Sequence, residues 1–161
     1  MLALPMTDFH MRPARGDEAE LLTALSMRSK QSNGYDDAFM AACAEELLVT
    51  PDSLADWYYW VAETDGRLLG LFALAPDAGG ASAEVAAFFV EPDLKGQGVG
   101  RALWRRLTAQ AAAEGIERLR LDADPAAEPF YLAMGCRLAG RRPSGSIPGR
   151  TLPHMTFDLA K

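Results

Sequence analysis

Cysteine and histidine are nearly absent, with two of each in 161 residues. Cys43 falls inside a helical pattern and Cys136 at the start of a strand, without the spacing of a zinc site or a disulfide framework. Both read as packed thiols, and no metal is expected. His10 stands on a short edge-like strand with no Ser, Cys or carboxylate in register, which makes it structural rather than catalytic. Long apolar runs are also missing. The start Met1-Leu2-Ala3-Leu4-Pro5-Met6 is too short and uncharged for a signal peptide, and nothing approaches the roughly 20 residues that a membrane-spanning helix needs. A cytoplasmic protein without a membrane partner is expected, with residues 1–7 disordered or extended. Positive charge is in deficit: 16 Lys and Arg face 22 Asp and Glu, for a net charge of -6. A nucleic-acid surface shows clustered Lys and Arg, so no nucleic-acid partner is expected. Internal repeats and low-complexity segments are lacking as well.

What is present is an ordinary globular balance, 49% apolar and 24% charged, in a length that suits one domain with a full core. The chain is organised around residues 85–104. Val85-Ala86-Ala87-Phe88-Phe89-Val90 is short, branched and aromatic, and reads as a buried strand. Val99, Leu103, Leu107 and Ala111 recur every fourth residue, the stripe of an amphipathic helix. Between them lie Gly96, Gly98 and Gly100. A glycine-rich turn opening into a helix leaves the first N–H groups unpaired with the positive end of the helix dipole behind them, and Lys95 and Arg101 add charge nearby. Such a turn can hold a phosphate. No Gly-Lys-Ser/Thr triplet follows, and the spacing is Gly-x-Gly-x-Gly rather than Gly-x-Gly-x-x-Gly, so neither common nucleotide loop fits.

The rest of the chain alternates strands and helices. Phe9–Ala14 reads as a first strand, and Asp17 with Glu20 as a capping box opening a helix to about Lys30, with Leu21, Leu22 and Leu25 inward. After the break at 31–35 a second helix carries Phe39, Met40, Cys43 and Leu47, and Thr50-Pro51 starts a short third. Trp57–Glu63 and Arg67–Ala75 form a hairpin about Asp65-Gly66, in which Trp57 and Tyr59 face one way and Tyr58 and Trp60 the other. Gly115 ends the long helix, residues 116–123 alternate as a strand, and a helix runs from Asp124 to Gly135. Strand, helix and strand in that order make a parallel βαβ unit inside a mixed sheet. Residues 136–140 are a strand, Arg141–Arg150 a long loop, and Thr151–Leu159 the closing strand.

Lys95-Gly96-Gln97-Gly98-Val99-Gly100 resembles the pyrophosphate-binding signature of the Gcn5-related N-acetyltransferase superfamily, Arg/Gln-x-x-Gly-x-Gly/Ala, with Lys95 in place of Arg or Gln. Further on, Pro129-Phe130-Tyr131 before Met134-Gly135-Cys136 is similar to that family's Phe-Tyr helix, with Cys136 for the usual Phe and Ala126 where many members have Asn. The resemblance spans roughly 8–159. It implies an α/β fold with a mixed central sheet of about seven strands, about four flanking helices and a βαβ cofactor-binding unit.

It also implies function. Members move an acetyl group from acetyl-CoA directly to an amine. The backbone of Phe88, Phe89 and Val90 would then pair with the pantetheine arm, Lys95, Gly96, Gln97, Gly98, Val99, Gly100 and Arg101 would hold the diphosphate, and Pro129 and Tyr131 would border the cofactor. Tyr131 matches the family's general acid for the CoA thiolate, and Glu84 stands where several members keep a general base. By plain alternation Glu84 shares a face with Ala86, Phe88 and Val90. The acceptor is open: walls of its pocket are sought in 31–35, in one face of 57–60 and in 141–150. Arg141, Arg142 and Arg150 suit an acidic acceptor, while the acidic total suits a polyamine or basic peptide. A homodimer is compatible with this reading. The alternative is a non-catalytic acyl-CoA-binding or sensor module, whose mark would be a missing Tyr131.

Overall fold

The computed structural model describes residues 9–159, so the expected extended or disordered segment 1–7 lies outside the described residues. Seven strands form one sheet in the order β1-β2-β3-β4-β5-β7-β6. They are β1 His10–Pro13, β2 Tyr58–Thr64, β3 Arg67–Pro76, β4 Ser82–Val90, β5 Arg118–Asp122, β6 Arg137–Pro143 and β7 Thr151–Asp158. Every neighbouring pair is antiparallel except β4 and β5, which makes the sheet mixed, as expected. Five helices among the described residues flank it rather than about four: α1 Ala19–Gln31, α2 Asp37–Leu47, α3 Pro51–Asp56, α4 Val99–Ala113 and α5 Glu128–Ala133. The fifth arises because the stretch after Thr50 closes a full capped turn, with Thr50 Oγ1 accepting from Ser53 N–H at 3.0 Å and Pro51 in the first turn. No helix among the described residues is long and apolar enough to cross a membrane.

Two apolar layers sandwich the sheet. On one face α4 and α5 bury Val99, Leu103, Leu107, Ala111 and Tyr131 against Leu69, Phe72, Leu74 and Leu119. The fourfold spacing of α4 therefore packs as its periodicity demands. On the other face Leu22 and Leu25 of α1 pack with Val61, Leu71 and Ala73. Leu21, expected inward, is 59% exposed, because the buried stripe of α1 runs through Leu22, Leu25, Ser26 and Ser29. The expected capping pair Asp17 and Glu20 is replaced by Glu18. Its carboxylate accepts from Arg15 N–H at 2.7 Å and from both Nη atoms of Arg12 at 3.0 and 2.7 Å.

Two further expectations change. Trp57 ends α3 outside the strand and is 38% exposed, Tyr59 joins the α1 layer, and Tyr58 and Trp60 pack under α4. There Arg106 lies 4.4 Å over the Trp60 ring and Tyr58 donates to Glu114 at 2.8 Å, so this strand lends no wall to a ligand cleft. Strand β6 continues past Gly140 to Pro143, since Arg141, Arg142 and Pro143 pair with Pro153, Leu152 and Thr151. The irregular loop is thereby cut to 144–150.

Candidate active site

Strands β4 and β5 pair over three positions only, Ser82, Ala83 and Glu84 with Arg118, Leu119 and Arg120. Beyond Glu84 the strands diverge, while β4 stays paired to β3 up to Val90 with Gly70. Among the described residues, one edge of β4 from Val85 to Val90 thus faces no strand, and its backbone groups open on a cavity of about 770 Å³. Backbone polar groups left at such an edge invite an added strand.

At its far end β4 runs into the glycine turn. Gly96 and Gly98 adopt φ of 82° and 91°, the left-handed region in which a Cβ is strained. Gly98 is the N-cap of α4, and the first i to i−4 bond into the helix is Ala102 N–H to Gly98 O at 3.1 Å. The preceding amides lie within the first turn, where a helix cannot satisfy its own donors, and Gly96, Gly98, Gly100 and Arg101 line the cavity. Gly100 also permits close approach: a Cβ there would stand 3.2 Å from Phe130 of α5. The ring cluster of Phe88, Trp104, Phe130 and Tyr131 fixes α4 and α5 over the strand end.

The structure gathers most of the residues singled out above. Glu84, Phe88, Phe89, Val90, Lys95, Gly96, Gly98, Gly100, Arg101 and Tyr131 all line this one cavity, whereas Gln97, Val99 and Pro129 do not. The Gln97 side-chain amide donates to Asp93 O at 3.1 Å, the Val99 side chain is buried in the core, and Pro129 opens α5. Lys95 is turned toward α1, donating to Ser29 O at 3.2 Å and Ser32 Oγ at 2.7 Å, and burial lowers its pKa.

Glu84 shares a face of β4 with Ala86, as alternation gives, but not with Phe88 and Val90. The β3–β4 register passes from Ala73 with Ala87 to Leu74 with Val85, so Ala86 is an extra, bulged residue. Ala86, Ala87 and Phe89 therefore pack toward α1, Val85, Phe88 and Val90 toward α4, and Glu84 joins the former side through its partner Ala75. Glu84 lines the cavity, as do Glu46 and Leu47 of α2.

Tyr131 lines the cavity from α5, and its hydroxyl has no hydrogen-bond partner among the described residues. Burial, then Cys136 and Asp124, hold its phenol above the ordinary value, so the proton stays on the oxygen. The neighbouring Cys136 thiol is pushed by burial up to about 12, and burial likewise raises Cys43. Both are packed thiols.

Sequence reasoning missed one polar cluster. Asp124, read only as a helix opener, accepts from Ala126 N–H at 2.9 Å, from the Tyr35 hydroxyl at 2.9 Å and from Lys30 Nζ at 3.2 Å. Burial pushes its pKa up, but these bonds outweigh it and the carboxyl ends below its ordinary value. Arg150 Nη2 donates to the Tyr35 hydroxyl at 2.6 Å and stands 3.5 Å from Asp124. The break at 31–35 and the 144–150 loop, both sought as pocket walls, thus meet at Asp124. Arg150 is committed there, Arg141 stands 4.0 Å from Glu128, and Arg142 is exposed. Asp122, at the end of β5 two residues before Asp124, is bonded to His154 Nδ1 at 2.7 Å. No group of three or more His, Cys, Asp or Glu among the described residues is placed to hold a metal ion.

Known proteins share this arrangement. Residues 24–136 match the model of the Acetyltransferase (GNAT) family. The peptidyl-lysine N-acetyltransferase YjaB of Salmonella typhimurium is 30% identical over 133 residues, covering 82% of this chain and 86% of that protein. Among solved structures, the PaiA N-acetyltransferase of Thermoplasma acidophilum, in complex with coenzyme A, aligns with a TM-score of 0.77 at 17% identity, over 93% of this chain and 98% of that one. A GCN5-related N-acetyltransferase from Rhodopseudomonas palustris gives 0.74 at 23% identity over 99% of both chains. A family match across more than two thirds of its length, on a sheet parted at β4 and β5 above a glycine turn, establishes that the chain belongs to the GNAT acetyltransferase family.

Proposed function

We propose that this protein, working as a single catalytic domain in the cytoplasm, transfers an acetyl group from acetyl-CoA directly to a primary amine of a small molecule or peptide. The observation that carries the reading is the unpaired edge of β4 leading into the glycine turn, with Tyr131 and Glu84 on one cavity beside it. Backbone groups of Phe88, Phe89 and Val90 bind the pantetheine arm as an added strand. The amides of Gly96, Gly98, Val99, Gly100 and Arg101 take the diphosphate, and the Arg101 guanidinium adds charge. Lys95 supports the turn by tying it to the end of α1.

Bound acetyl-CoA supplies an activated thioester carbonyl; the protein must supply the proton traffic. An alkyl amine has a pKa of about 10, so at pH 7 only about one molecule in a thousand is neutral, a handicap of roughly 4 kcal/mol. Glu84 removes that proton, directly or through water. Tyr131, held protonated by its burial, gives its proton to the departing thiolate as the carbon–sulfur bond breaks. The name of the 30% identical relative, a peptidyl-lysine N-acetyltransferase, favours a lysine side chain as the acceptor amine.

Thiol release from acetyl-CoA, followed across a panel of lysine peptides, diamines and amino acids, tests this. Release with at least one amine is expected. Binding of acetyl-CoA with release from none would make the protein an acyl-CoA-binding module.

A further inference from the structure

The 144–150 loop is fastened at both ends. Within the loop, Ser144 N–H donates to Arg150 O at 2.7 Å, while Ser144 Oγ accepts from the amides of Ser146 and Ile147 at 3.2 and 3.1 Å. The loop is thus a preformed unit. Outward, the Ser146 hydroxyl bonds the Glu46 carboxylate on α2. At its far end the Arg150 guanidinium lies 4.9 Å from the Phe39 ring and 5.2 Å from the Tyr35 ring, two rings that stack at 4.0 Å. Its Nη2 donates to the Tyr35 hydroxyl, which in turn donates to Asp124. A planar fork that stacks and bonds at once suits arginine and not lysine.

The fastened loop closes one arm of the cavity. Pro143 at the end of β6, Gly145 of the loop and Leu152 of β7 line it with Glu46 and Leu47 of α2, and Glu84 lines the same cavity; a Cβ on Gly145 would stand 3.5 Å from the Glu46 carboxylate. Neither Arg150 nor Tyr35 lines the cavity, so their effect on it runs through the position of the loop. Resting on the amine-transfer reading above, we propose that Arg150 is a specificity-determining positioning residue. By clasping loop 144–150 to α2 and to the turn between α1 and α2, it keeps the acceptor arm narrow. An amine at the end of an unbranched alkyl chain reaches Glu84, and an amine borne on a ring does not.

Cys43 offers a probe of the clasp. It lies on α2, is 1% exposed, and has Lys30, Glu46, Arg150 and Asp124 as its charged surroundings. The test compares wild type with Arg150→Met and Arg150→Lys in thiol release, using Nα-acetyl-lysine amide as the slender acceptor and glucosamine as the ring-borne one. Arg150→Met should raise the glucosamine to lysine-amide ratio of kcat/KM by about tenfold or more, leaving the KM for acetyl-CoA in place, with Arg150→Lys between. In parallel, alkylation of Cys43 by iodoacetamide, located by mass spectrometry, should quicken about tenfold in Arg150→Met while Cys136 stays protected. An unchanged Cys43 rate, or a quickened rate with an unchanged ratio, overturns the proposal. If Arg150→Met also exposes Cys136 and so has lost its fold, Tyr35→Phe must move both readouts the same way, and its failure to do so overturns it. If the wild type acetylates neither probe, amine transfer is judged on the wider panel above and the clasp on Cys43 alone. The clasp is then read at Cys43, labelled with iodoacetamide against a bulky maleimide, and equal discrimination in wild type and Arg150→Met overturns it.

Discussion

Tyr131 and Glu84 line one cavity, and the opposite tasks proposed for them have distinct signatures. Tyr131→Phe removes only the hydroxyl from an otherwise well-packed ring. Turnover should fall by roughly tenfold or more while acetyl-CoA binding persists, which calorimetry and thiol release together will resolve. Unchanged turnover would take Tyr131 out of the mechanism. Glu84→Gln keeps the shape and removes the proposed base. Its kcat/KM for an alkyl amine should drop by about a hundredfold near pH 7, and most of the loss should return near pH 9.5, where the amine sheds its own proton. A deficit that is flat with pH would instead mark Glu84 as a binding residue.

Among the elements, the turn before α4 concentrates the backbone's constraints. Gly98→Ala places a Cβ at φ 91°, a cost of about 1–2 kcal/mol that the turn can escape only by rotating its amides away from the cavity. Coenzyme A affinity should weaken by about tenfold by calorimetry, with a smaller change in melting temperature. This turn, the α4 stripe and the Tyr131 helix were readable in the sequence because each rests on local rules: glycine conformation, fourfold spacing, chain order. The side on which Glu84 falls was not. Nothing in Ala-Glu-Val-Ala-Ala-Phe-Phe-Val marks Ala86 as the bulge; that follows from fitting β4 to β3, a contact between distant segments. Strand β6 likewise reaches Pro143 only because β7 comes back beside it. Asp124 looked like an ordinary helix cap, and the Lys30, Tyr35 and Arg150 that surround it are brought together by tertiary folding.

For the molecule as a whole, the acid side of the stability curve should be governed by carboxylates held near guanidinium groups. Arg12 on β1 joins Glu18 and Glu63, and its hydrogen bonds hold both carboxyls below their ordinary values. Carboxyls shifted downward stabilise the folded state fully above their unfolded pKa of about 4.3 and lose that contribution as pH falls through the folded values. Arg12→Met should therefore lower the melting temperature by several degrees at neutral pH and by little near about pH 3, as calorimetry at the two pH values will show.

The parting of β4 from β5 bears on mechanics as much as on binding. Two half-sheets, β1 to β4 and β5 to β6, hang together through three residue pairs and the side chains above and below them. A joint so short offers little backbone resistance to twisting, and the acetyl-CoA proposed to lodge in the gap would act as a splint across it.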